Sequence, residues 1–533
     1  MEGLDIKRLD HHGLVMGVIK DLGIIDQINM RLGVYEDEKT TVGERVAAMI
    51  LNGLGFTNQP LSLMPDFFEG LPLDALFGRP MAAKELNRFA LARALDRVYE
   101  YGDSTLFSEI ASTVCVAEGI DRSIQSLDTT SFSLTGEYDH ETDAGCIKIV
   151  HGYSKDHRPD LKQCITELMV SHDAGVPLHM KNWDGNASDC IIFRERSAEL
   201  LNQFQSEKMK CLVADSKFYT KENAKNWHLI KFITRVPESI NEAKERIKKA
   251  LELNIWRTHS DGKILYQVFQ EKHYDTAQRW MVCFSNESLQ RVDKTVDKQV
   301  QKEADEIKKQ LNRLRSQQFS CSTDANKAVH DAAKKWKFHM IDRINIELKE
   351  TMYRIEAQYQ SSKEVIEKVK REKACFILAS NLSPTEYSDE IVITHYKNQQ
   401  AVERGYRFLK DPYFFASGFF LKKPERISAL IMIMTLSLLV YSIAQRRLRK
   451  ALQAQNETLP DQNKKPVKKV TMRWVFHLLR GIHWVTKKVG DDRQHSLHGM
   501  TEMKEKIIIL MGGGALIIYG LPEAVLLQQK AVS

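Results

Sequence analysis

The chain has 533 residues, 43% hydrophobic and 28% charged, proportions that exclude wholesale disorder and, at this length, a single hydrophobic core. A formal net charge of +7 is too mild to establish a nucleic-acid partner by itself. The distribution is uneven, however: residues 1–110 hold 11 Lys and Arg against 17 Asp and Glu, whereas residues 421–490 hold 15 against 3, an asymmetry that suggests one surface built for an anionic partner.

Residues 1–115 read as helical. Thr41–Leu54 carries apolar residues at helical spacing behind a Thr cap, and Lys84–Tyr99 is a second amphipathic helix. Such a domain, 1–118, is suited to DNA-end binding or dimerisation, although its negative charge argues against a dominant phosphate-binding role. Residues 119–236 change character. Strands are expected at Ser123–Leu134, Leu161–Ser171 and Val176–Trp183, then a helix over Ser188–Phe204, a short strand Lys210–Asp215, and another over His228–Val236. The order strand, strand, strand, helix, strand implies a mixed α/β core. Residues 237–372 interrupt it with strand-like pieces at Lys263–Gln270 and Arg279–Phe284, then a charged helical stretch from Leu289 to about Arg315. The α/β pattern resumes over 373–450, with a strand at Ala374–Ala379 and a mostly helical Ser388–Lys410.

Ile427 to Ala444 is 18 residues without a charge, the lower limit for a membrane span. Lys422, Lys423 and Arg426 precede it and Arg446, Arg447, Arg449 and Lys450 follow it, which gives no preferred orientation. Ser428, Thr435, Ser437 and Ser442 dilute it further, so a buried core helix is expected and no membrane partner. A Lys-rich linker follows Ala454, then two apolar helices near 471–488 and 502–519. Eight cysteines come no closer than 18 residues apart, so no C-x-x-C pair exists. That spacing reads as a reduced, cytosolic chain. Gly512–Gly514 lacks the frame of a phosphate loop, and the paired His11 and His12 read as incidental.

Two carboxylates sit where strands do not favour them, Asp128 in SIQSLDTTSF and Asp215 ending KCLVAD; a third, Glu403, lies in HYKNQQAVERGYRFLKDPYFF. Taken singly, the first two read as strand-end residues and Glu403 as a surface residue pairing with Arg407. Together, in the order strand, strand, helix, they resemble the acidic triad of DDE transposases with an RNase H-like catalytic domain. The nearer resemblance is to the insertion-sequence branch whose last motif is Y-x2-R-x3-E-x6-K. Tyr396, Glu403 and Lys410 fit that spacing, and Gln399 stands at the Arg position. The segments HGYSKDHRPDLKQ, NWDGNASD, VADSKFY, FILASN, ERGYRFLKDPYF and NGLGF also resemble the family, in order along nearly the whole chain.

The resemblance implies an α/β fold: an RNase H-like mixed sheet with an inserted domain, a helical N-terminal domain and a helical C-terminal segment. It implies a transposase that cuts the ends of its own element and joins them to target DNA, with Asp128, Asp215 and Glu403 as catalytic metal ligands. The cofactor implied is Mg²⁺, with Mn²⁺ able to substitute. The partners implied are double-stranded DNA, both transposon ends and target, and a second copy in a DNA-bound homodimer. The setting implied is the cytoplasm of a bacterium or archaeon, at the nucleoid. In-line displacement at a phosphodiester suits such ligands, because Mg²⁺ takes hard oxygen donors. On a continuous helix Tyr396, Gln399, Glu403 and Lys410 share one face, with Arg407 close by, and are expected to line a groove against DNA phosphate. Lys155 and Arg158 read equally as DNA contacts, braces of the site, or a polar turn. Two alternatives stay open: a metal-dependent nuclease without strand transfer, and an inactive transposase-derived DNA-binding protein.

Overall fold

Helices begin where the caps place them in the computed structural model, which describes residues 4–56, 60–138, 145–189, 191–193, 195–196, 209–411, 421–489 and 492–521. At Thr41 the hydroxyl accepts the Glu44 N–H (3.2 Å) and the Glu44 carboxylate accepts the Thr41 N–H (2.7 Å), a reciprocal capping box. Asn87 caps the second expected helix by accepting from Phe89 and Ala90.

The chain forms two units, Met1–Asp215 with Lys397–Ser533, and Ser216–Tyr396. The first opens with a strand, β1 (Leu4–Arg8). Seven helices follow: α1 (His12–Asp21), α2 (Ile24–Leu32), α3 (Val42–Leu54), α4 (Met64–Glu69), α5 (Leu73–Phe77), α6 (Arg88–Tyr101) and α7 (Asp103–Ala117). Then come β2 (Ile124–Leu134), β3 (Lys162–Ser171), β4 (Pro177–Trp183) and β5 (Cys211–Ala214). Their spatial order is β4-β3-β2-β5, antiparallel except for the parallel pair β2/β5. The result is a mixed sheet, as the order of strands and helix in the sequence implies. The helix expected over Ser188–Phe204 falls largely outside the described residues.

In the second unit α8 (Lys221–Ala224), β6 (Phe232–Arg235), α9 (Asn241–Leu253), β7 (Arg257–Thr258), β8 (Ile264–His273) and β9 (Thr276–Ser285) lead into the long charged helix α10 (Asn286–Ser316). After it come α11 (Ser322–Ala333), the hairpin β10 (His339–Lys349) and β11 (Met352–Ser361), α12 (Lys363–Ala374), β12 (Cys375–Ser380) and α13 (Asp389–Asn398). The order β6-β12-β9-β8-β7 is antiparallel throughout. A small core of Ala325, Val329 and Ile355 joins α11 to the β10–β11 hairpin.

Back in the first unit are α14 (Gln400–Leu409), α15 (Pro424–Ala454), the two-residue strands β13 (Leu459–Pro460) and β14 (Pro466–Val467), and α16 (Met472–Leu478). They are followed by β15 (His483–Val489), β16 (Asp492–His498), α17 (Glu502–Met511) and α18 (Gly513–Ile518). The apolar helix α15 satisfies the length and composition of a membrane span, yet 89% of that window is buried inside the protein. It packs against α3, α6, α7, β4, α14 and α17 and is the centre of the largest core.

Three expectations for the termini are corrected. The helix expected near 471–488 ends at Leu478, and β15 and β16 form a hairpin instead. Gly481 turns the chain with φ +82, and Val485 and Thr486 favour extended backbone. β1 then pairs with β15 from Leu4↔Lys487 to Arg8↔His483, so the N-terminal region is not wholly helical. The helix near 502–519 is interrupted at Gly512.

Candidate active site

The parallel register between β2 and β5 ends at Leu127↔Ala214. One residue further along each strand are Asp128 and Asp215, so the two carboxylates leave neighbouring strands, spaced about 4.8 Å apart, side by side. Asp128 is half-buried, and its pKa is raised to about 7. Burial is the main cause; the charges of Asp215 and Asp189 add to it, while Lys155 and the Thr129 N–H, which donates to Asp128 Oδ1 at 2.7 Å, oppose it. Asp128 therefore holds a proton more readily than an ordinary carboxylate, and a cation beside it would reverse that.

Glu403 comes from the first turn of α14. It is exposed and faces Arg407 at 3.9 Å. One turn on, the buried Tyr406 donates its hydroxyl to the carbonyl of Asp128 (2.5 Å) and also to that of Thr166 (3.3 Å). That phenol fastens the Glu403 helix to the strand carrying Asp128. Burial, with the Asp128 charge second, pushes the Tyr406 pKa far upward and keeps it a donor. Gly405 lets the same helix lie close to α15, where an added Cβ would stand 3.2 Å from Leu438.

The three acids line one open cleft of about 900 Å³. Its cationic wall holds Lys155, Arg407, Lys410 and Arg473. Lys155 donates to the Thr129 carbonyl (2.8 Å) and hydroxyl (2.5 Å) and pairs with Asp189 (3.2 Å). The Thr129 hydroxyl in turn donates to Asp189. Lys155 is therefore a brace beneath Asp128. Lys410 pairs with Asp156 (2.7 and 2.9 Å); burial lowers its pKa, and Asp156 works the other way.

Other expected residues stand elsewhere. The helix carrying the last motif is not continuous: Gln399 is a turn between α13 and α14, marked by the tight Val402 N–H to Gln399 carbonyl bond of 3.0 Å. Tyr396, on α13, is half-buried with Phe376 at 6.3 Å between ring centroids, and neither Tyr396 nor Gln399 lines the cleft. Arg158 is exposed, forks onto Asp160 (2.7 and 2.8 Å) and is not in the cleft wall. Nothing in the sequence pattern points to a role at the site for Tyr406, Asp156 or Arg473. Tyr406 stands three residues beyond Glu403 on a helix, but the partners of all three are distant in sequence.

Among the described residues no three His, Cys, Asp or Glu side chains stand close enough to share one ion as placed. The donor set still suits a hard divalent cation in part. Asp128 and Asp215 are adjacent oxygen donors whose mutual repulsion a cation would relieve, and Glu403 opens onto the same cleft.

Residues 120–440 match a family model described as Transposase DDE domain. Residues 4–112 match one described as Domain of unknown function (DUF4277). No curated protein matches the chain. Among solved structures, the chain is similar to one described as a piggyBac transposase synaptic complex with hairpin DNA. The two are 10% identical, with a TM-score of 0.36, over 88% of this chain and 79% of that one.

Proposed function

We propose, from the premise that this chain belongs to the Transposase DDE domain family, that it is a DNA transposase cutting at the ends of its own insertion sequence and joining the freed 3′-hydroxyls to target DNA. The observation that carries this reading is the register of β2 and β5. It sets Asp128 beside Asp215, on a cleft to which the Tyr406-anchored helix adds Glu403.

Asp128 and Asp215 would hold divalent cations, Mg²⁺ or Mn²⁺, with Glu403 as the third carboxylate. Bound there, such ions supply charge stabilisation to the attacking and leaving oxygens of an in-line displacement. Everything else is done by the chain itself. Lys155 and Thr129 fix the backbone under Asp128. Tyr406 holds the Glu403 helix at its distance. Arg407, Lys410 and Arg473 put positive charge along the wall where a DNA strand would pass. In the first step water attacks phosphorus, the bond from phosphorus to the 3′-oxygen breaks, and a 3′-hydroxyl is released. In the second that hydroxyl attacks a target phosphodiester and displaces the 3′-oxygen of the target strand.

Asp128→Ala, Asp215→Ala and Glu403→Ala are each expected to abolish nicking of plasmid DNA in Mg²⁺ or Mn²⁺ while leaving DNA binding nearly intact. A variant that cuts normally removes its residue from the site. Joining of a pre-cut element end to plasmid separates a transposase from a plain nuclease.

A further inference from the structure

One cation in the cleft wall comes from beyond the matched transposase domain. Arg473 is the second residue of α16, whereas the family match ends at residue 440. The start of this helix is fixed to α15: the Arg473 N–H donates to the Tyr441 hydroxyl (3.1 Å) and the Met472 N–H to Gln445 Oε1 (3.3 Å). Thr471 caps it by accepting from Trp474. The Arg473 backbone is therefore set before its side chain is placed.

The guanidinium lies over the ring of Phe56, 5.2 Å from its centroid. That ring belongs to an aromatic cluster. Phe56 meets Phe408 (6.1 Å) and Phe476 (6.2 Å), and Tyr441 meets Phe408 (4.6 Å) and Phe476 (6.1 Å). A planar cation on such a floor keeps its fork of donors oriented. Arg473 also donates to Asp411, and its side chain remains 54% exposed at the cleft.

The charge in the cleft gives this cation a task. Asp128, Asp156, Asp215, Glu403 and Asp411 all face a space that a polyanion would enter. Each cation of the wall meets an acid: Lys155 meets Asp189, Lys410 meets Asp156, Arg407 faces Glu403 and Arg473 meets Asp411. Gln399 carries no charge and lies outside the wall. Arg473 is distinguished by its aromatic floor, which keeps its planar guanidinium oriented at the rim of the cleft while it pairs with Asp411. We propose that Arg473, on its aromatic floor, forms a subsite for a DNA backbone phosphate at the rim of the cleft, so that the C-terminal segment completes the substrate channel. The inference rests on the transposase reading above.

The test uses the full chain and a blunt duplex of about 40 base pairs of random sequence, with binding measured across a salt series. Arg473→Ala is expected to weaken binding roughly 10-fold at moderate salt and to make the slope of log affinity against log salt shallower by about 0.9, one phosphate contact. Arg473→Lys, which keeps the charge, restores the slope. Asp411→Asn keeps the wild-type slope. An unchanged slope in Arg473→Ala overturns the proposal. So does an Asp411→Asn protein that reproduces the Arg473→Ala loss, because the arginine would then only tie α16 to Asp411. If Arg473→Ala lowers the melting midpoint, Arg473→Gln decides the same point. Plasmid nicking by wild type in Mg²⁺ or Mn²⁺ is read in parallel: its absence sinks the transposase reading, while the salt slopes still decide the subsite.

Discussion

At the scale of single residues, the site depends on groups that do no chemistry. The Tyr406 hydroxyl satisfies two main-chain carbonyls, one of them belonging to Asp128. Tyr406→Phe leaves both acceptors short of a donor, at a cost of about 1–3 kcal/mol. We expect the cleavage rate to fall roughly 10-fold, equivalent to about 1.4 kcal/mol, with DNA affinity unchanged, because the loss moves Glu403 relative to Asp128. An unchanged rate in a protein with a lower melting midpoint would make Tyr406 a packing residue only. The His11 and His12 rings, stacked at 4.4 Å, are buried. Burial lowers the His11 pKa to about 4 and the His12 pKa well below its ordinary value. Both are depressed from an unfolded value near 6.5, so the neutral pair contributes stability that is complete above that pH. It is lost as pH falls through about 6.5 toward 4 and below. Each ring donates to a carbonyl, that of Leu54 for His11 and that of Leu9 for His12. The double variant His11→Gln, His12→Gln keeps a donor at each place and is expected to flatten the dependence of melting midpoint on pH across that window. An equally steep dependence would assign the acid sensitivity to other groups.

At the scale of elements, close approach explains glycines that have no conformational need. Gly17 on α1 faces α18, where an added Cβ would stand 2.4 Å from the Ala515 nitrogen. The Gly514 N–H donates to Asp21 at 2.7 Å, so the glycine run at 512–514 is a docking point for the first helix. Gly17→Ala is expected to destabilise the chain by about 1–3 kcal/mol, despite the better helix propensity of Ala, through overpacking against α18. Denaturant unfolding measures it, and a stabilised variant would show that α18 can move aside. Most strands and caps were legible because their signals are local. Thr41 and Glu44 lie three residues apart, and Asp128 in β2 and Asp215 just past β5 stand out as acids at strand positions. The β10–β11 hairpin was not, because its exposed face dilutes the apolar alternation. The break at Gln399 escapes the pattern for a related reason: helical spacing continues across it, and a single turn residue separates the two helices.

At the scale of the molecule, the uneven charge has two destinations. Several arginines of the basic segment pair with acids of the N-terminal half: Arg426 with Asp96, Arg446 with Asp173, and Arg447 with both Asp21 and Glu118. That portion holds α15 against its neighbours and is not presented to a partner. We propose that the loop carrying Lys464, Lys465, Lys468 and Lys469 meets DNA; of these only Lys468 is half-buried, donating to Asn456 at 2.6 Å. Replacing the four by Gln is expected to weaken binding for all DNA sequences and to reduce the salt slope by up to about 0.9 per lost contact. A slope equal to wild type would make the loop a solvated linker.

Whatever depends on neighbours along the chain is legible in the residues alone. They place the principal strands of the mixed sheet, the capped helices, the core character of Ile427–Ala444, and the order of acidic motifs that resembles the transposase family. Only the tertiary structure decided which charges meet. Lys155 closes on Thr129 and Asp189, Lys410 on Asp156, and Arg473 on Asp411 over Phe56, across separations that no periodicity encodes. It also turned residues 483–489 into a strand, because β1, at the other end of the chain, supplies the hydrogen-bonding partner that an extended segment needs and a helix does not.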